Sequence, residues 1–285
     1  MQFAAVSLAA AAVLAAGADA AAQFGNGRIA PTAAAVHAPP ANAGFDYQIG
    51  GDYELPDGAS VVSRDWFSGE PAGEPVYSIC YVNAFQAQGD EPGVDRPDER
   101  SNWPKPLVLT KLGDDPEWGG EYLVDISTAA KRRQAARWLE PMIDACAQKG
   151  YDAVEYDNLD SWTRFDGTPL ARRVPFAKEE ALAFARRLAK LADSRGLAVG
   201  QKNTADLSAK QSRKVGFAFA IAEECARYRE CDRYRRIHGD RVIAIEYRRS
   251  DFDAACRTVG DEISVVLRDR QVSTPGSPRY VYDVC

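Results

Sequence analysis

Residues 153–160 read Ala-Val-Glu-Tyr-Asp-Asn-Leu-Asp, and the change of chemistry inside this stretch governs how the rest of the chain is read. Tyr151, Ala153 and Val154 suit a buried strand, and then Glu155, Asp157, Asn158 and Asp160 arrive together. Carboxylates at the end of an apolar run are costly unless water, a cation or a substrate meets them. In a parallel α/β barrel that position is the C-terminal mouth, where active sites lie. Alone, the stretch also reads as a solvated strand-to-helix loop in which Asp157 or Asp160 caps the next helix. The two readings separate on whether other strand ends repeat the pattern.

Working outward, short apolar runs occupy residues 45–50, 76–83, 122–126, 151–156, 197–202, 217–222, 242–247 and 263–267. Residues 107–112 form a further run that competes with 122–126 for the third strand. Residues 129–149 place Ala136, Leu139, Ile143 and Cys146 at helical spacing, with Pro141 inside predicting a kink or a first-turn position. Residues 178–195 put Ala181, Leu182, Ala185, Leu188 and Leu191 on one stripe, stopped by Gly196. Eight strand-like runs alternating with helices or long loops predict an α/β fold, a (β/α)8 TIM barrel forming a single domain. An open doubly wound sheet is the alternative, but neither GxGxxG nor GxxxxGK[ST] follows the first strand.

In a barrel, the strand ends converge on one face. Asp46, Tyr47 and Gln48 lie on the first strand, and the later ends carry Tyr81 and Asn83; Glu155, Asp157 and Asn158; Lys202 and Asn203; Glu223 and Glu224; Glu246, Tyr247 and Arg248; and Arg268 with Asp269. Jointly they predict a substrate site. Two carboxylates from different strands, ringed by Tyr, Trp, Asn, Gln and Lys, fit glycoside hydrolysis. One protonates the leaving oxygen, and the other attacks the anomeric carbon or activates water. Asp157 and Glu223 can face each other across the mouth, with Glu155 and Glu224 as weaker candidates. Strand alternation sets Glu155 and Asp157 on one side but only one of Glu223 and Glu224 toward the mouth. Trp66, Phe85, Trp162 and Tyr247 are candidates for stacking on sugar faces, or for packing.

Composition narrows the class. A chain that is 46% hydrophobic and 27% charged is not wholesale disordered. The net charge of −6 disfavours nucleic acid and suits a cationic ligand. Residues 1–22, an Ala/Val/Leu run ending in small residues without a basic start, read as a signal peptide; residues 23–44 read as a flexible linker, and residues 45–285 as the catalytic domain. No later stretch qualifies as a membrane span, so the mature chain is expected to be secreted or periplasmic. Six cysteines fit an oxidising compartment. Six cysteines allow 15 pairings: Cys225–Cys231 is expected to clip a local loop, Cys256 with Cys285 could tie down the C-terminus and leave Cys80 with Cys146, and the connectivity beyond the first pair stays open. With no CxxC and only His37 and His238, neither a metal site nor a histidine-dependent nucleophile is expected, and no cofactor is called for.

Five ordered blocks give the chain a resemblance: FDYQIGGDY (45–53), YSICYVNAFQAQ (77–88), GYDAVEYDNLDSW (150–162), GQKN (200–203) and AIAEECARYRECD (220–232). Together they resemble the endo-α-1,4-polygalactosaminidases, glycoside hydrolase family 114. The resemblance implies a secreted (β/α)8 enzyme cleaving galactosamine-containing polysaccharide, with its carboxylate pair at Asp157 (nucleophile or base) and Glu223 (general acid). The family often has Pro inside the ExDN block, where this chain has Tyr156. A de-acetylated galactosamine polymer is cationic, and an acidic mouth attracts it, while Lys202 and Arg268 are placed to pair with the carboxylates. A non-catalytic carbohydrate-binding or cell-surface protein on the same barrel is the alternative from a different class.

Overall fold

The computed structural model describes residues 36–88 and 103–285. The expected signal peptide and the first part of the expected linker lie outside these residues. The remainder of the linker packs against the barrel, with Ala38 and Ala43 on the interior cluster and the His37 carbonyl accepting from Tyr77 Oη at 2.7 Å.

In chain order, the first strands are β1 (Gly44–Gln48), β2 (Ala59–Asp65) and β3 (Tyr77–Asn83), followed by the short β4 (Gln86–Ala87) and β5 (Tyr122–Leu123). Then come α1 (Ala129–Lys149), β6 (Ala153–Asp157), α2 (Lys178–Asp193), β7 (Ala198–Lys202), α3 (Ala209–Val215) and β8 (Phe219–Glu223). The chain finishes with α4 (Cys231–His238), β9 (Val242–Glu246), α5 (Arg249–Val259), β10 (Ser264–Arg268) and β11 (Tyr282–Val284). β1, β2, β3, β6, β7, β8, β9 and β10 pair in that order, all parallel, and β11 adds antiparallel to β10. β1 and β10 lie side by side, leaving a nearly closed TIM-type barrel.

One strand expectation is corrected. The barrel's second strand is β2, which the sequence reading did not mark, so the run at 76–83 is the third strand. Neither candidate for a third strand enters the barrel: residues 107–112 make 3₁₀ turns, and Tyr122–Leu123 pairs only with β4. β2 was hidden because Ser63 and Arg64 break its apolar run. Both are buried and satisfied by distant partners, Ser63 donating to Glu155 and Arg64 to Gln48 at 2.9 Å.

Alternation along the strands divides two layers of core. Phe45, Tyr47, Ile79, Tyr81, Phe219, Ile221 and Ile245 fill the barrel, and Gly200 sits among them because a Cβ there would lie 2.9 Å from the Phe219 ring. Val154, Tyr156 and Val199 point outward under α1 and α2. Tyr156 thus belongs to the helix layer, so the departure from the family's Pro falls away from the mouth.

α1 begins at Thr128, whose hydroxyl accepts from Lys131 N, and ends at Gly150 in the left-handed conformation (φ 93°), with Pro141 inside a continuous helix. α2 is rotated from the expected stripe: Phe184 and Ala189 are buried, whereas Leu182 and Leu191 only partly cover the core. Disulfides join Cys80–Cys146, Cys225–Cys231 and Cys256–Cys285: the local clip is as expected, and the open connectivity resolves to the other two pairs. They tie β3 to α1, close the loop after β8, and fasten the C-terminus to α5.

Candidate active site

Asp157 ends β6 and Glu223 ends β8, with β7 between them. Each parallel strand delivers its last inward side chain to the same rim, which is why residues 66 positions apart in the sequence meet. The next residue after each of β6, β7 and β8 turns sharply: Asn158, Asn203 and Glu224 have φ of 61°, 46° and 55°. Such left-handed non-glycine positions are uncommon and cluster at functional sites. For Asn158 the turn lets its own N–H donate to Asp157 Oδ1 at 2.7 Å. For Glu224 it defeats the alternation rule, since both Glu223 and Glu224 line the cavity above. The Glu224 carboxylate is paired with Arg227.

Lys202, from β7, is the hub. Its Nζ lies 3.4 Å from Glu155 Oε2, 3.4 Å from Asp157 Oδ1 and 3.6 Å from Glu223 Oε2, donates to Tyr47 Oη at 2.8 Å, and sits over the Tyr47 and Tyr81 rings. Those legs bound the separation of the two carboxylate oxygens at about 7 Å, on the scale of two-carboxylate glycosidases. Burial alone would strip Lys202 of its proton, but Asp157, Glu155 and Glu223 hold its pKa well above the ordinary range. Burial also works against ionised Asp157. There the Lys202 charge, the Tyr81 hydroxyl (2.7 Å to Oδ2) and the Asn158 N–H prevail, and its pKa falls below the usual carboxylate value. Glu155 sits deeper, fully buried. Desolvation pushes it up to about 7 despite Lys202 and the Ser63 hydroxyl.

Glu223 is held differently. Asn203 donates from Nδ2 to Oε2 at 2.9 Å and accepts the Glu223 N–H at 2.8 Å, while the Tyr247 hydroxyl meets Oε1. A hydroxyl can donate to a carboxylate or accept from a carboxylic acid, so Oε1 has a partner in either protonation state. Asp157 Oδ1, in contrast, faces only obligate donors, Lys202 and the Asn158 N–H.

Above the pair lies a cavity of about 610 Å³. Its lining includes nine carboxylates against two arginines, Arg164 and Arg270, among the described residues, so its field favours a cation. Tyr47, Tyr81, Asn158, Asn203, Glu224 and Tyr247 all reach this lining. Glu155 and Lys202 form the floor beneath it. Asn83 is buried behind the rim, accepting from Asn158 Nδ2 at 3.0 Å and donating to Gln88 and Glu121. Asp46, Gln48 and Arg268 are not brought to the cavity: they form a sealed network at the β1–β10 seam. Of the stacking candidates, Trp162 and Tyr247 line the cavity, Phe85 packs on Phe184 in the helix layer, and Trp66 lies against that layer.

The sequence reading missed Trp118, Arg164 and Arg270, which stand on loops with no periodic signal. Arg164 donates to Asn158 Oδ1 at 2.6 Å and lies 3.2 Å from the buried Asp115, so it braces the turn that orients Asp157. Cys225, Cys231 and Glu246 bring possible ligand atoms together, but both cysteines are in a disulfide.

A family model, glycoside-hydrolase family GH114, matches residues 27–285. The chain belongs to that family. No curated protein matches this GH114 protein in sequence. Among solved structures it is similar to Aspergillus fumigatus Ega3 in complex with galactosamine, at 21% identity and a TM-score of 0.71, covering 88% of this chain and 98% of that one. It is also similar to two structures of the glycoside hydrolase domain of PelA from Pseudomonas aeruginosa, at 12% and 13% identity with TM-scores of 0.55 and 0.52. Each covers 82% of this chain and 96% of the other. At these identities the likeness establishes the barrel of this GH114 protein. No helix among the described residues is long and apolar enough to cross a membrane.

Proposed function

We propose that this GH114 protein is a secreted or periplasmic endo-glycosidase that cleaves α-1,4-linked galactosamine-containing polysaccharide through Asp157 and Glu223. The observation that carries the reading is the pair's setting: two carboxylates flanking one buried ammonium, at the base of a cavity whose rim is strongly acidic. A polysaccharide bearing free amines is a polycation, and such a rim concentrates it. The galactosamine in the Ega3 complex supports the same class of sugar.

In this mechanism Asp157 stays ionised and attacks the anomeric carbon or activates the water that does so. Glu223, in its acid form, delivers a proton to the leaving oxygen, oriented by Tyr247 at Oε1 and Asn203 at Oε2. Lys202 steadies both groups, and Glu155 offsets part of its charge from below. Burial raises the phenol pKa values of Tyr47, Tyr81 and Tyr247 well above the ordinary value, keeping them neutral hydrogen-bonding groups. Asn158, Asn203, Glu224 and Trp162 are the side chains best placed to meet substrate. Asp46, Gln48, Asn83 and Arg268 serve as framework.

Product analysis on defined α-1,4-galactosamine oligomers, free-amine and N-acetylated, tests the reading. Internal cleavage of the free-amine series ahead of the acetylated one is expected. Binding without new reducing ends would replace it with the carbohydrate-binding alternative.

A further inference from the structure

The rim of the cavity carries a cation of the protein's own. Arg270, on the loop after β10, lays its guanidinium over the Trp118 ring at 5.2 Å and meets Glu117 Oε2 at 2.8 Å. All three line the same cavity as Asp157 and Glu223. The backbone of the receiving half is anchored. Buried Asp115 accepts the N–H groups of Glu117 (2.7 Å) and Trp118 (3.1 Å) on one oxygen. Its other oxygen takes Gln86 Nε2 at 2.7 Å and faces Arg164. The two side chains of the ion pair are both exposed, Arg270 by half and Glu117 slightly more, so the contact between them can open.

An aromatic face with a carboxylate beside it is a receptor for a cation that also has an apolar face. A guanidinium meets that description, and so does a protonated amino sugar, with an ammonium for Glu117 and a C–H face for the indole. We propose that Trp118 and Glu117 form an additional subsite for a protonated 2-amino sugar, and that Arg270 occupies it until substrate displaces it. The inference rests on the functional reading above and adds to it a subsite, distinct from the pair on β6 and β8, built on the segment leading into β5 and the loop after β10. The exchange of one cation for another keeps the subsite's charge balanced. It also makes the site selective, because a neutral N-acetylated unit leaves Glu117 without a counter-charge once Arg270 swings away.

The test is calorimetric binding of an α-1,4-linked galactosamine tetramer to the full chain carrying Asp157→Asn, which prevents turnover. Adding Arg270→Ala removes the competitor and is expected to tighten binding by about two- to fivefold, the scale of one exposed cation–π contact with an exposed ion pair. The gain should be smaller for the fully N-acetylated tetramer. Adding Glu117→Gln on top of Arg270→Ala is expected to reverse the gain, and Gln preserves the shape of the turn. If Arg270→Ala leaves affinity unchanged or weakens it, or if both tetramers gain equally, the subsite is refuted while the galactosamine reading stands. If neither tetramer binds the parent protein, the functional reading fails and the subsite with it.

Discussion

Lys202 and Arg268 end β7 and β10, and almost no surface of either is exposed, yet their surroundings are opposite. Arg268 is matched group by group. Nη1 meets Asp46 at 2.8 Å and the Tyr47 carbonyl, Nη2 the Ser273 carbonyl at 2.8 Å, and Nε the Val281 carbonyl at 3.0 Å. Gln48 closes the other side by donating to Asp46 at 2.8 Å. This network bridges β1 and β10, between which no ladder forms among the described residues, and it presents nothing to the cavity. Lys202 instead stands among three carboxylates, two of which, Asp157 and Glu223, open upward to the cavity. A buried charge that is fully paired holds a fold together, whereas one set among surplus opposite charges tunes them for chemistry.

The comparison breaks most visibly if Lys202 is removed. Lys202→Met is expected to lower kcat by about 10²-fold or more, the scale of losing one preorganised electrostatic partner. It should also move the acid limb of the rate profile upward, because Asp157 loses the ammonium that holds it ionised. Steady-state kinetics across pH checks both, and a kcat within a few-fold of wild type would mean the hub is structural. Arg268→Met should do the converse. Leaving Asp46 buried and unpaired is expected to cost about 3–5 kcal/mol in denaturant unfolding, with activity per folded molecule far less affected than in Lys202→Met.

A finer prediction concerns Glu155, whose pKa of about 7 lies above its ordinary 4.5. Between those values the folded state binds the extra proton, so this group's contribution to stability is full below pH 4.5 and lost as pH rises through 7. Glu155→Gln should remove that slope from stability measured by unfolding at a series of pH values. A counterpart of opposite sign belongs to His238, which burial lowers to about 4. Here the unfolded chain takes up the proton first, so stability falls as pH drops from about 6.5 toward 4. His238→Gln should flatten that acid-side decline.

The two clusters were not equally legible in the sequence. Asp157 and Glu223 announce themselves because each ends an apolar run, and a strand end in a parallel barrel has one destination. Arg268 carries the same signature, and its partner Asp46 lies mid-strand in β1, but both sit at the seam, where the neighbouring strands are not hydrogen-bonded and the C-terminal segment covers them. No local pattern records that cover. β2 escaped notice for a related reason: Ser63 and Arg64 look like solvent-facing residues until Glu155 and Gln48 are brought to them from elsewhere in the chain. Glu224 defied alternation because its backbone turns left-handed. Trp118 and Arg270 lie on loops, where position follows from tertiary anchors such as Asp115 rather than from periodicity.

The most direct measurement is release of reducing ends from a free-amine α-1,4-galactosamine polymer by the wild-type protein, Asp157→Asn and Glu223→Gln, with each variant's fold verified by circular dichroism. The account predicts steady release by the wild type and a loss of about 10³-fold or more in each folded variant. Release at the wild-type rate by either folded variant would contradict it.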